Sequence, residues 1–304
     1  MDKEVRIAYL ETHLAVFLWG FTAIIGKWIS LSEVPLVLHR MWLTTLCLLF
    51  IPGVIKGLRT LSAKDFWIFV IVGFLIAFHW VFFYGAIKYS NASIALCGLA
   101  TTSLFTSFLE PLFFKKKIRP VEVFLGLVVI LGIFLIFNTS PTHYNLGFGL
   151  GLTAAVLAAI FSILNKKYVH RGDPKSITAV EMGSGFLILT LLLPVYIIWF
   201  PQARLLPNVD DWILLFIMSA VCTAFPMVIS LRALKHISAF ASSIALNLEP
   251  IYGMIMAWLI FNENEELSPY FYFGALMIIG SVLLHPLLES NRLKNKVKIL
   301  MGRS

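Results

Sequence analysis

"GAIKYSNASIALCGLATTSLF", residues 85–105, lies over "RALKHISAFASSIALNLEPIY", residues 232–252, at a constant offset that brings Ala86 onto Ala233, Lys88 onto Lys235 and Ala92 onto Ala239. Downstream, "FKKKIRPVEVFLG" meets "FNENEELSPYFYFG" with a small insertion, and each leads into a glycine-spaced apolar run, "GLVVILGIFLI" and "GALMIIGSVLL". Apolar segments resemble one another by composition alone. Here the correspondence also continues through the polar turn, so the chain reads as two copies of one unit.

The apolar character sets the environment. Only 13% of the residues are charged and 59% are hydrophobic, with a mean hydropathy of +0.88, whereas about a quarter of a soluble chain is charged. A membrane-spanning helix takes about 20 mainly apolar residues, which leaves this length room for about ten spans and no separate soluble domain. Uninterrupted runs place the spans near 13–31, 34–52, 66–86, 91–114, 120–138, 147–168, 177–199, 210–232, 238–261 and 269–288. Turn signals such as "SEVP", "NTSPTHYN", "HRGDPKS" and "FPQARLLPN" separate them. The three cysteines, Cys47, Cys97 and Cys222, sit within apolar runs and show no ligand-like spacing with the seven histidines. That spacing points away from a disulfide framework and from a metal site.

Basic residues of membrane proteins gather on the cytoplasmic side. With the N-terminus inside, the inner set takes all of the 24 basic residues except Lys27, Arg40, Lys88 and Arg204. The net charge of +8 is therefore read as topology and not as nucleic-acid binding, and both termini are expected in the cytoplasm of a plasma-membrane (inner-membrane) protein. The opening segment "MDKEVRIAYLETH" lacks a cleavage pattern, so the first span is expected to be retained. Five spans per copy is an odd number, so the second copy must enter the bilayer from the opposite side. The predicted fold is all-α, with residues 1–140 and 141–290 as two inverted five-helix repeats and 291–304 as a basic tail. Opposite topology also accounts for the opposite charge of "KKK" and "NENEE": related turns face opposite sides, and the residues act as address labels.

With these features the chain resembles the EamA-like transporters of the drug/metabolite transporter superfamily. The resemblance rests on "FLWGFTAIIGKW", on Arg40 within "LVLHRMWLTTLCLLF", on "NASIALCGLATTSLFTSFLEPLFF", and on "ISAFASSIALNLEPIYGMIMAWLIFNE" followed by "GALMIIGSVLL". It implies ten spans and secondary transport. It also implies that Trp19 and Asn165 line a central cavity, a setting in which aromatic walls with few polar groups suit an amphipathic small molecule. The chain departs from the family in the first half, where Lys116 stands at the place that Glu263 fills in the second.

Ionisable groups at membrane depth are costly and mark candidate sites. Glu249 lies roughly 18 Å into its span at 1.5 Å per residue, near the middle of a core about 30 Å thick. Pro250 supplies no backbone donor to the carbonyl of Leu246, so the helix is expected to open beside the carboxylate. The repeat counterpart of Glu249 is Thr102, flanked by Thr101 and Ser103; these hydroxyls would face Asn247 and Glu249, with Tyr252 nearby. His79, with Trp80 and Tyr84 in "FHWVFFYG", lies at similar depth and suits a proton relay or a substrate hydrogen bond. Its counterpart falls at Phe225 and Pro226, a second helix break. Arg40 is expected to pair locally or snorkel, with a further role in gating or in attracting a carboxylate. Glu181, its partner by position, is expected to pair locally or snorkel too, and Glu110 to pair with Lys115 or Arg119.

Three functional classes remain in view. The first is a secondary transporter, by preference an exporter, of a small metabolite such as an amino acid. Its partners are that molecule, the lipid bilayer and a proton or other coupling ion, with no cofactor and the oligomeric state left open. The second is a channel or lipid-like translocator; the absence of charged rings argues against the channel, and a lipid-like substrate stays open. The third, an intramembrane enzyme, lacks HExxH, GxSxG and P-loop patterns.

Overall fold

The computed structural model describes residues 3–115, 120–139, 142–236, 245–246 and 248–289, and every regular element among them is helical. The first half contains α1 (Lys3–Trp28), α2 (Glu33–Leu49), α3 (Val54–Thr60), α4 (Ala63–Tyr89), α5 (Ala92–Ala100), α6 (Thr102–Phe114) and α7 (Pro120–Thr139). The second contains α8 (Asn145–Tyr168), α9 (Pro174–Trp199), α10 (Val209–Ser219), a π-helical segment at Ala220–Ala224, α11 (Phe225–Ala233), α12 (Glu249–Phe261) and α13 (Pro269–Glu289). The basic tail, Lys116, Lys117, Arg119 and Asn247 lie outside the described residues.

Local chemistry sets the helix ends. Ser62 and Asn91 accept the backbone N–H groups of Asp65 and Ile94 at the starts of α4 and α5, and Asn208 and Asp211 form a reciprocal capping box at α10. Such side chains satisfy donors that a first helical turn leaves unpaired. The outer surface is apolar, with Phe134, Leu191, Ile198, Trp199 and Leu276 all exposed. A surface of this kind is stable against lipid and not against water.

Among the described residues, six helices are long and apolar enough to cross a bilayer, or seven if α2 and α3, bent by 95°, are taken as one span. Ten are predicted from the sequence. Of the other four predicted spans, the second is bent, the ninth is described only in part, and the fifth and tenth correspond to α7 and α13, of 20 and 21 residues. The second is turned at Pro52 and Gly53, where Gly53 adopts a φ of 91° that glycine alone adopts without strain. Beyond that turn α3 forms where the sequence reading has a loop, and Gly57 lets it approach α9 so closely that a Cβ there would meet the Ser176 hydroxyl at 2.1 Å.

Two spans are broken in the same way. Between α5 and α6 the N–H of Thr101 bonds back to Gly98 and that of Phe105 to Thr101. Upstream of α12 the N–H of Leu248 bonds back to Ala245 and that of Tyr252 to Leu248. The hydroxyls of Thr101 and Thr102 donate to the carbonyls of Gly98 and Leu99, both at 2.6 Å. Such bonds offer the backbone an alternative to the helical ladder, which is a physical reason for the break at the Thr-Thr pair. The half-helices α6 and α12 are each 13 residues long and end on the left-handed residues Lys115 (φ 53°) and Asn262 (φ 54°).

The long helix α4 packs against α8 and α9, α5 packs against α8 and α12, and α1 packs against α11 and α12. Close crossings depend on glycine pairs. A Cβ at Gly98 would lie 3.0 Å from the backbone of Gly151, and one at Gly132 would lie 2.8 Å from the carbonyl oxygen of Gly274. These contacts bring the two halves of the sequence together along their length.

Candidate functional site

Arg40, on α2, is 2% exposed although it carries a full charge. Its Nε donates to the Thr223 hydroxyl at 2.9 Å and its Nη1 to the Tyr84 hydroxyl at 2.5 Å. The guanidinium carbon lies 3.7 Å from the centre of the Trp80 ring, a desolvated cation–π contact of the kind worth about 2 kcal/mol. The backbone carbonyl of Arg40 accepts from Thr44 at 2.7 Å and Ser219 at 3.2 Å. Of the two expectations for Arg40, snorkelling does not occur: α4 and the π-helical segment bond it in place, through hydrogen bonds and not an ion pair.

Each element of this setting has a local origin. Pro226 has no N–H to return to the carbonyl of Cys222, and the backbone just before it widens, with the N–H of Phe225 reaching Ala220. Segments of this type recur at functional sites. The wider turn presents Thr223, whose hydroxyl donates to Met218 at 2.7 Å and accepts from Arg40. The Tyr84 ring packs against Gly26, where a Cβ would come within 2.2 Å of it. Gly26 is thus a condition for the Tyr84–Arg40 bond.

Glu249 completes the group. It occupies the first turn of α12 beside Pro250, is partly exposed, and forms no ion pair with Arg40. Among the described residues, Arg40 has no carboxylate within ion-pair distance. The centre therefore holds a buried cation with no direct counter-ion and a carboxylate some distance from it. The first turn of a helix favours negative charge, which helps to hold Glu249 there.

The remaining candidates divide. His79 bonds through Nδ1 to the carbonyl of Ala154 at 2.8 Å and packs between Phe83 and Phe161. Thr101 and Thr102 spend their hydroxyl protons on their own backbone, while the buried Ser103 hydroxyl has no partner. Trp19 is partly buried, and its carbonyl accepts from Thr22 at 2.7 Å. Tyr252 packs its Cβ 3.1 Å from the position a Cβ would take at Gly20, with its ring 5.8 Å from that of Phe17. Asn165 is buried, and its Oδ1 has no partner among the described residues.

Elsewhere, Glu110 pairs with Lys166 at 2.6 Å, a partner outside the sequence reading. Glu181 is 0% exposed and neither oxygen has a hydrogen-bond partner, so it neither snorkels nor pairs as expected. Glu263 is more than an address label: it is fully buried, pairs with Lys27 at 2.7 Å and accepts three bonds at the start of α5. Thr223 was missed because an isolated threonine in an apolar run is unremarkable. Its position three residues before Pro226 was the available signal.

The profile of the EamA-like transporter family matches residues 6–138 and again 145–285. The chain belongs to the EamA-like transporter family. Relatives include an uncharacterized transporter of Clostridium kluyveri, 24% identical over 72% of this chain and 70% of its own length. Another is the uncharacterized transporter YdfC of Bacillus subtilis, 23% identical over 93% of this chain and 92% of its own. A solved crystal structure shares the fold at a TM-score of 0.61 and 15% identity, covering 92% of this chain and 98% of that one. Family and relatives are named as transporters and not as enzymes. With the apolar helices, they make the chain a multi-pass membrane transporter of the drug/metabolite transporter superfamily.

Proposed function

We propose that the protein is a secondary transporter that exports a small zwitterionic metabolite, an amino acid or related compound, across the plasma membrane by alternating access. The observation that carries the substrate class is Arg40, held by Thr223, Tyr84 and Trp80 with no carboxylate in contact among the described residues, while Glu249 stands beyond ion-pair distance. A buried cation without a counter-ion is costly unless a ligand supplies the charge. An amino acid carries both complements, its carboxylate for Arg40 and its ammonium group for Glu249. Trp80, Tyr84, Tyr252 and Trp19 would form the apolar wall, and Thr101 and Thr102 the polar surface between the halves.

Ten spans in two inverted repeats, 1–140 and 141–290, are part of the same reading. It is supported by the two stretches matched by the family profile, by the matching breaks and by the left-handed caps at Lys115 and Asn262. Direction supports it too: α6 runs toward the end where Glu110 meets Lys166, and α12 toward the end where Glu263 meets Lys27. In inverted-repeat transporters the site lies where such discontinuous helices meet.

Counterflow in proteoliposomes loaded with single amino acids tests the substrate class. Exchange is expected for zwitterions and not for the matching amines or carboxylic acids, and silence across the whole series would remove the assignment. Topology has a separate test, with cytoplasmic termini expected. Lys116→Cys should label from the inside and Glu265→Cys from the outside; the reverse pattern at either position would overturn the inverted arrangement.

A further inference from the structure

Glu181 lies on α9 roughly 10 Å along the helix from Pro174, at 1.5 Å per residue. Its backbone is clamped against α4, where a Cβ at Gly73 would come within 2.2 Å of the Glu181 carbonyl oxygen, and Ser184 donates to that carbonyl at 3.1 Å. The side chain is fully enclosed, and among the described residues both carboxyl oxygens lack a hydrogen-bond donor. The amide of Asn165, on α8, faces it, and the Asn165 Oδ1 is buried and unpartnered as well.

No cation serves this group among the described residues. On the packed helices, Arg40 is bound to Thr223 and Tyr84, Arg232 pairs with Glu11, Asp65 with Arg171, and Lys88 bonds to the carbonyl of Ile29. His79 is taken by Ala154 and Lys166 by Glu110, while Lys56, Arg59 and Lys64 are exposed. An ionised carboxylate so enclosed, without donor or counter-ion, would cost far more than its conversion to the acid.

We propose that Glu181 and Asn165 form a proton-binding site, separate from the Arg40–Glu249 centre, whose loading and release couple transport to a proton gradient. One proton converts three acceptors without donors into a complementary pair: the acid O–H donates to Asn165 Oδ1, and the amide N–H donates to the other carboxyl oxygen. The site is enclosed in the conformation described, so release requires the packing around Glu181 to open. The coupling role rests on the transporter reading above, whereas the occupancy of the site does not.

Infrared pH-difference spectroscopy of the reconstituted protein, with the proton as the probe, tests it without any substrate. A protonated-carboxyl carbonyl band is expected in the wild type, retained in Glu249→Gln, lost in Glu181→Gln and shifted in Asn165→Leu. It should be unchanged when choline replaces sodium. A band that survives Glu181→Gln, the lack of any such band in the wild type, or removal of the band by sodium at constant pH would each overturn the site. Glu181→Gln is isosteric with the acid, and Asn165→Leu gives a second reading should that variant fold poorly. Silent counterflow with this band present would sink the transport reading and leave the proton site standing.

Discussion

Arg40→Ala is expected to cost about 2–5 kcal/mol of substrate binding, the range for truncating one side of a buried, hydrogen-bonded charge pair. At about 1.4 kcal/mol per decade, this is roughly a 30- to several-thousand-fold rise in the KM for zwitterion exchange. Arg40→Lys should recover only part of it. Lysine keeps the charge but loses the planar fork that reaches Thr223 and Tyr84 together, and the flat face that stacks on Trp80. Glu249→Gln serves as the comparison. It should weaken exchange of zwitterions while leaving whatever binding a plain carboxylic acid shows unchanged, because that half of the ligand faces Arg40. The variants must be monodisperse and inserted for the comparison to count. Wild-type KM in Arg40→Ala would remove Arg40 from the substrate site and leave it as a packing group between α2 and α4.

The parts legible in the sequence were those written in local chemistry. The opening beside Glu249 was expected from Pro250, whereas the related break at Thr101 had no distinguishing sign, since Thr44 and Thr45 form the same pair inside the unbroken α2. Arg40, Trp80, Tyr84 and Glu249 each stood out as polar or aromatic groups at membrane depth. Their meeting did not. It depends on Gly26 admitting the Tyr84 ring and on the widened turn before Pro226 presenting Thr223, both consequences of packing between helices far apart in the chain. The helix α3 was read as a loop because seven residues with a glycine and two basic side chains carry little periodicity. Glu263 was misjudged for a related reason: an acid in a charged turn looks solvated until the helix whose first N–H groups it accepts is known.

That misjudged acid leads to the second large effect. Glu263 is 0% exposed and accepts from the Ala92 and Ser93 backbone N–H groups at 3.0 and 2.7 Å, and from the Ser93 hydroxyl at 2.6 Å. It also accepts from Lys27 at 2.7 Å, whose own side chain is 32% exposed. Four donors thus converge on one carboxylate, and they tie the end of α1, the start of α5 and the turn after α12 into one knot. Removing the carboxylate strands the buried donors, and Lys27 can turn to water while the α5 N–H groups cannot. Glu263→Ala should therefore cost about 3 kcal/mol, at the lower end of the range for breaking a buried pair, and lower the melting temperature by roughly 6–12 °C. Lys27→Met removes only the partly solvated partner and should cost about 1 kcal/mol or less. Glu263→Gln keeps an acceptor for α5 and should fall between the two. The ordering separates the interpretations: equal losses for Lys27→Met and Glu263→Ala in a thermal unfolding series would make the ion pair, and not the capping of α5, the source of stability. The expected ordering would establish the turn after α12 as the fastening that keeps the Lys27 end of the molecule closed.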